Sequence, residues 1–154
     1  MGQTTKAIRK RLLIYPGMPA TQFISASAAI VFVLGLVHLV YTVFGSKLHP
    51  RDPQVKTGMM ACSPGISRET TMWLAWVGFN ASQSFSAILF GAVYGYLATL
   101  HGSFLLQSWF LLAVGFLLLV GYAVLGRMYW FSVPFRCIAL VAGLYAAGLT
   151  LSFV

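Results

Sequence analysis

Four uncharged apolar runs dominate this chain, at residues 23–44, 72–100, 104–125 and 138–154. A helix crosses the hydrocarbon core of a bilayer with about 20 apolar residues. The first and third runs meet that length directly. The second is longer and predicts a helix that tilts or projects beyond the bilayer. The fourth reaches a full span when it begins near Pro134 and absorbs Arg136, which places it at 134–154. The expected fold is therefore all-α: an integral membrane four-helix antiparallel bundle over residues 23–154, preceded by a short basic segment at 1–22.

Composition supports this reading. Of 154 residues, 59% are hydrophobic and 8% charged, whereas a soluble domain carries about 25% charge to cover its wetted surface. The length suits one domain. Net charge is +8, with ten Lys and Arg against Asp52 and Glu69 alone. A basic balance raises nucleic acid as a partner. Membrane burial accounts better for the apolar surface, and basic loops beside bilayers meet lipid head groups and set topology. The expected partners are membrane lipids, then other membrane subunits or a second copy of the chain, and no nucleic acid.

The first run follows Lys6, Arg9, Lys10 and Arg11, as the apolar core of a signal peptide would. Its length and the poor cleavage site at Val43-Phe44-Gly45 favour a retained span. Leu12, Leu13, Ile14 and Tyr15 beside the basic cluster fit either a short helix on anionic lipid or a frayed tail. Pro16 and Pro19 should separate this segment from the first span. The only long connection, 45–71, is polar, and Pro50 and Pro53 prevent a continuous helix through it. Ser67 is the expected N-cap of the second span, with Glu69 in its first turn. His101-Gly102-Ser103 and the stretch 127–133 are tight connections.

Antiparallel topology puts the long loop and the Arg127 connection on one side, and both termini with the His101 turn on the other. Lys and Arg then number four on the terminal side. The loop side has Lys47, Arg51, Lys56, Arg68, Arg127 and Arg136. Arg127 and Arg136 flank or enter helices, and without them the sides tie. The expectation adopted is a bacterial cytoplasmic (inner) membrane with both termini in the cytoplasm. Cys62 and Cys137 match no metal-binding pair or CxxC spacing. Span counting places both on the same membrane face.

Polar groups at depth in a bilayer are costly and often functional. On the second run Trp73, Trp76, Asn80, Gln83, Ser84, Ala87, Gly91 and Gly95 recur at spacings of three and four, so they form one stripe. Gly91 and Gly95 make a GxxxG ridge, extended by Ala87, for close helix packing. On the first run Val31, Gly35, His38 and Thr42 share a face, with Tyr41 beside it. His38 and Asn80 lie about two turns from the loop end of their helices, roughly 10 Å deep at 1.5 Å per residue. Tyr122, Arg127 and Arg136 lie toward the same end of theirs. The candidate ligand-binding cavity is thus His38, Tyr41, Trp73, Trp76, Asn80, Gln83, Tyr122, Arg127 and Arg136. The blander reading is a His and an Asn hydrogen-bonding across helices. No histidine pair sits at matching depth for haem, no HxxxH or HExxH spacing exists, and no span carries Asp or Glu. No cofactor, metal or catalytic set is expected.

Three stretches resemble an uncharacterised family of small four-helix bacterial integral membrane proteins. They are Gly35-Leu36-Val37-His38-Leu39, then Pro50-Arg51-Asp52-Pro53, then Thr71-Met72-Trp73-Leu74-Ala75-Trp76 with Gly78-Phe79-Asn80-Ala81-Ser82-Gln83-Ser84. The resemblance covers most of the chain from the first span onward and implies fold and membrane location, with no activity to carry over. It also implies a histidine at the place of Gln83, which this chain lacks, so a His–His function is in doubt. The basic N-terminal segment is an addition. A fainter likeness, by size and helix count, is to DoxX-type membrane proteins.

The leading functional expectation is a non-enzymatic accessory subunit or binder of a small hydrophobic or lipid-like ligand. One alternative is an intramembrane enzyme on a lipid or quinone-like substrate, with His38 as acid/base and Asn80 and Arg136 holding polar groups. The other is a structural subunit of a larger membrane complex.

Overall fold

The computed structural model describes residues 18–153. The basic cluster from Lys6 to Arg11, the apolar residues after it and Pro16 lie outside the described residues. Among the described residues the chain is all-helical, with six helices: α1 (Met18–Val43), α2 (Pro53–Ala61), α3 (Met72–Leu100), α4 (Gly102–Gln107), α5 (Trp109–Tyr129) and α6 (Ser132–Ser152). Four of them, α1, α3, α5 and α6, are long and apolar enough to cross a membrane, consistent with an integral membrane protein. At 1.5 Å per residue, the 21 residues of α5 and of α6 span about 31 Å, the thickness of a hydrocarbon core. The 29 residues of α3 span about 43 Å and exceed it.

Helix ends differ from expectation where local chemistry intervenes. Pro19 lies inside the first turn of α1; the first-turn N–H groups have no intrahelical acceptor, so proline costs little there. Pro53 likewise opens a helix within the 45–71 connection. Asp52 is its N-cap, accepting from the Gln54 N–H at 2.8 Å, and Pro53 occupies the first turn. Ser67 does not cap α3. Its hydroxyl accepts from the Glu69 N–H at 3.1 Å within a local turn, while Thr71 accepts from the Leu74 N–H at 3.2 Å and α3 begins at Met72. Glu69 therefore stands before the helix and not in its first turn. The Met72 N–H donates to the Cys62 carbonyl at 2.9 Å, which ties the start of α3 to the end of α2.

The third apolar run is not one helix. It breaks at Ser108, whose backbone is extended and whose hydroxyl accepts from the Leu111 N–H at 3.4 Å. A serine that satisfies the next turn's N–H competes with continuous helix. Beyond the break, α5 runs on past Arg127, whose charge suits a helix C-terminus. In α6 the helix starts at Ser132, with Pro134 in its first turn, and absorbs Arg136.

The chain divides into two compact units, residues 1–30 with 90–154, and residues 31–89. In the first, α5 packs along α6. Its core holds Ala20, Ile24, Ser27, Ala28, Phe90, Tyr94, Leu105, Leu112, Leu119, Ile138, Val141 and Tyr145. The Tyr145 hydroxyl donates to the Leu112 carbonyl at 3.2 Å and that of Tyr94 to Leu111 at 2.6 Å. Phe90 stacks on Tyr94 with ring centroids 4.5 Å apart. Gly115 makes this cluster fit, since a Cβ there would collide with the Tyr145 hydroxyl and the Tyr94 ring. Ser27 donates to the Val141 carbonyl at 3.2 Å, joining α1 to α6. A Cβ at Gly148 would lie 2.9 Å from the Ala20 carbonyl oxygen, so the same two helices approach backbone to backbone.

Candidate functional site

In the unit of residues 31–89, α1 and α3 meet around a histidine. His38 is half-buried, and its Nδ1 lies 2.8 Å from the Ser84 hydroxyl. That hydroxyl donates to the Asn80 carbonyl at 2.9 Å. A hydroxyl has one proton, so Ser84 donates either to the Asn80 carbonyl or to His38 Nδ1, and the imidazole tautomer decides which. Thr42 donates to the His38 carbonyl at 2.8 Å, one turn along. The close approach that makes this possible is at Gly35, where a Cβ would fall 2.9 Å from the Ile88 backbone nitrogen and 3.0 Å from the Ala87 Cβ. A larger residue would push α1 away from α3 and lengthen the His38–Ser84 bond.

Chemically this pair is a clasp. Ser84 is 1% exposed, and its hydroxyl lies within hydrogen-bond reach of both the Asn80 carbonyl and the imidazole. A nucleophile needs an open approach, and Ser84 is buried. The Asn80 amide donates to the Trp76 carbonyl of its own helix at 2.8 Å.

The loop-proximal end of the same unit is aromatic. Trp73 meets His49 edge-on with ring centroids 4.8 Å apart, and the Lys56 ammonium stands 4.7 Å from the Trp73 ring centroid. The ammonium also donates to His49 Nδ1 at 3.3 Å; since it can only donate, Nδ1 is unprotonated there. Trp76 donates its indole N–H to the Leu48 carbonyl at 3.3 Å. Leu48, His49, Pro50, Met59 and Trp76 line a groove of about 310 Å³. Tyr41 is exposed, with the Lys47 ammonium 5.4 Å from its ring centroid, and Gln83 is half-buried.

The other three candidates belong to the unit containing α5 and α6. The Tyr122 ring lies 6.2 Å from that of Trp130. Arg127 and Arg136, both exposed, line one groove of about 320 Å³ with Gly126, Trp130, Ser132 and Phe135. In the same unit Gly91 is buried, while a Cβ at Gly95 would meet the Ala28 Cβ at an ordinary 3.8 Å. Tight backbone approaches occur at Gly148 in this unit and at Gly35 in the other. Cys62 and Cys137 are both free thiols.

Sequence reasoning placed Ser84 on the polar stripe without naming it as a site residue; its position one turn after Asn80 was the available signal. Leu48, Pro50, Met59, Trp130, Ser132 and Phe135 carried none, because ordinary apolar and loop residues line a groove only by virtue of how the chain turns. Compared with protein-family models, curated proteins and solved structures, the chain finds no match in any of the three.

Proposed function

We propose that this chain is a non-enzymatic integral membrane protein, a four-span antiparallel bundle of the bacterial cytoplasmic membrane with cytoplasmic termini, that binds a small hydrophobic or lipid-like ligand. The family resemblance of residues 35–39, 50–53 and 71–84 agrees with that location. The observation that carries the reading is the groove of Leu48, His49, Pro50, Met59 and Trp76. Its wall is largely apolar, and two of its polar atoms are already engaged, Trp76 Nε1 by the Leu48 carbonyl and His49 Nδ1 by Lys56. Such a wall suits an apolar body with one polar end.

Purification in mild detergent, followed by mass spectrometry of what accompanies the protein, tests this. A small amphiphile is expected with the wild-type chain and its loss with Trp76→Ala. A co-purifying protein with no small molecule would move the reading to an accessory or structural subunit. A ligand retained unchanged by Trp76→Ala would sink the groove as its site.

A further inference from the structure

The corner between α5 and α6 carries a second, chemically different feature. Its groove of about 320 Å³ has two guanidinium side chains, Arg127 and Arg136, a hydroxyl at Ser132 and an aromatic wall of Trp130 and Phe135. The chain's two acidic side chains, Asp52 and Glu69, both fall within residues 31–89, so the unit that holds this groove has no carboxylate side chain. Two like charges lining one groove repel, and no Asp or Glu of the same unit relieves it.

Topology and helix-dipole roles account for only half of the pair. Arg127 sits in the last turn of α5, where a cation complements the dipole. Arg136 sits in the second turn of α6, where the helix dipole gives no reason for a cation. An anion in the groove would offset the repulsion. Guanidinium groups present planar forks of N–H donors that match the oxygens of phosphate. Val133 and Leu140 lie three before and four after Arg136, so all three share one face of α6. Both apolar residues are about 60% exposed. A charged group flanked by exposed apolar surface at the end of a membrane-length helix has the layout of a lipid headgroup site, and the nearby aromatic residues Tyr129, Trp130 and Phe131 are of the kind found at that level.

We propose that Arg127 and Arg136 form a binding site for a phosphate-bearing anion at the α5–α6 corner. The site is separate from the Trp76 groove and shares only the proposed membrane placement with the reading above. Two arms test it and distinguish the source of the phosphate. In the first, wild type, R127Q/R136Q and R51Q are reconstituted into nanodiscs of phosphatidylcholine with and without phosphatidylglycerol, and retained lipid is counted by native mass spectrometry. In the second, inorganic phosphate is titrated onto the lipid-free protein in a neutral detergent and thermal unfolding is followed.

A preference for phosphatidylglycerol in wild type and R51Q, reduced on the order of tenfold per arginine removed, assigns the phosphate to a lipid. Protection by inorganic phosphate that depends on the same two arginines, without lipid preference, assigns it to a soluble phosphate compound. An unchanged lipid preference in R127Q/R136Q, an equal loss in R51Q, or no response in either arm overturns the site. If R127Q/R136Q does not fold, R127K/R136K keeps the charge without the planar fork, and retention equal to wild type then counts against the proposal. The detergent arm needs no bilayer, so a failure of membrane placement and a failure of the site read differently.

Discussion

Gly35 and His38 stand one helical turn apart on α1, and each needs the other. Gly35 lets α1 come close enough for the His38 imidazole to reach Ser84, since a Cβ at Gly35 would lie 2.9 Å from the Ile88 backbone nitrogen. Backbone cannot move aside as a side-chain end can, so Gly35→Ala is expected to destabilise the protein by about 1–3 kcal/mol through overpacking. Gly143, where an added Cβ meets nothing within 4 Å, is the control. Gly143→Ala should be neutral or stabilising by up to about 1 kcal/mol, because a mid-helix glycine has more freedom to lose. Thermal unfolding in detergent measures both, and equal midpoints for the two variants would refute the close crossing. Ser84→Ala removes the partner of Nδ1 and leaves a half-buried ring nitrogen, at an expected loss of roughly 0.6–2 kcal/mol for an interhelical bond in a membrane protein. An unchanged unfolding midpoint would mean the clasp contributes nothing. His38 and Asn80 were legible as polar residues within apolar runs. That the contact runs through Ser84, with the Asn80 amide turned onto the Trp76 carbonyl, was not, because periodicity gives a face and not a rotamer.

Among the elements, the second apolar run was readable to the residue, since polar loop at one end and the His101 break at the other delimit α3 on both sides. The third was misread because apolarity alone does not report a break: Ser108 interrupts it through a side-chain hydrogen bond that only three-dimensional geometry reveals. Helix α2 was missed for the opposite reason. Pro50 and Pro53 were read only as preventing a continuous helix there, which holds, but after a capping Asp52 Pro53 also opens a short one. The helix matters because it carries Met59 to the Trp76 groove. Asp52→Ala is expected to cost α2 about 1 kcal/mol, and so to raise the open fraction of 53–61 roughly fivefold. Hydrogen exchange across those residues should accelerate accordingly and weaken the Trp76-dependent ligand retention. Exchange as slow as in wild type would show that the cap does not hold α2.

At the scale of the whole molecule, four helices with the length and composition of membrane spans imply an even number of crossings. Reporter fusions at residues 1 and 154 are therefore expected to report the same compartment. Opposite compartments would remove one span, and α6 is the first to doubt, because its Arg136 lies further inside the helix than Arg127 of α5, which sits in the last turn.

The amino-acid sequence by itself determined the helical class and the four long apolar segments, because apolar run length and scarcity of charge act locally and need no partner. It also determined which residues are polar within those segments. Only the tertiary structure decided which of them meet. The Tyr94–Tyr145–Phe90 cluster over Gly115, the Gly35 crossing and the two grooves depend on residues far apart in the chain arriving at one place. In helices this apolar, the inward and outward faces differ little in hydropathy, so the pattern cannot choose between them. Small residues, hydroxyls and carbonyls at the crossings make that choice.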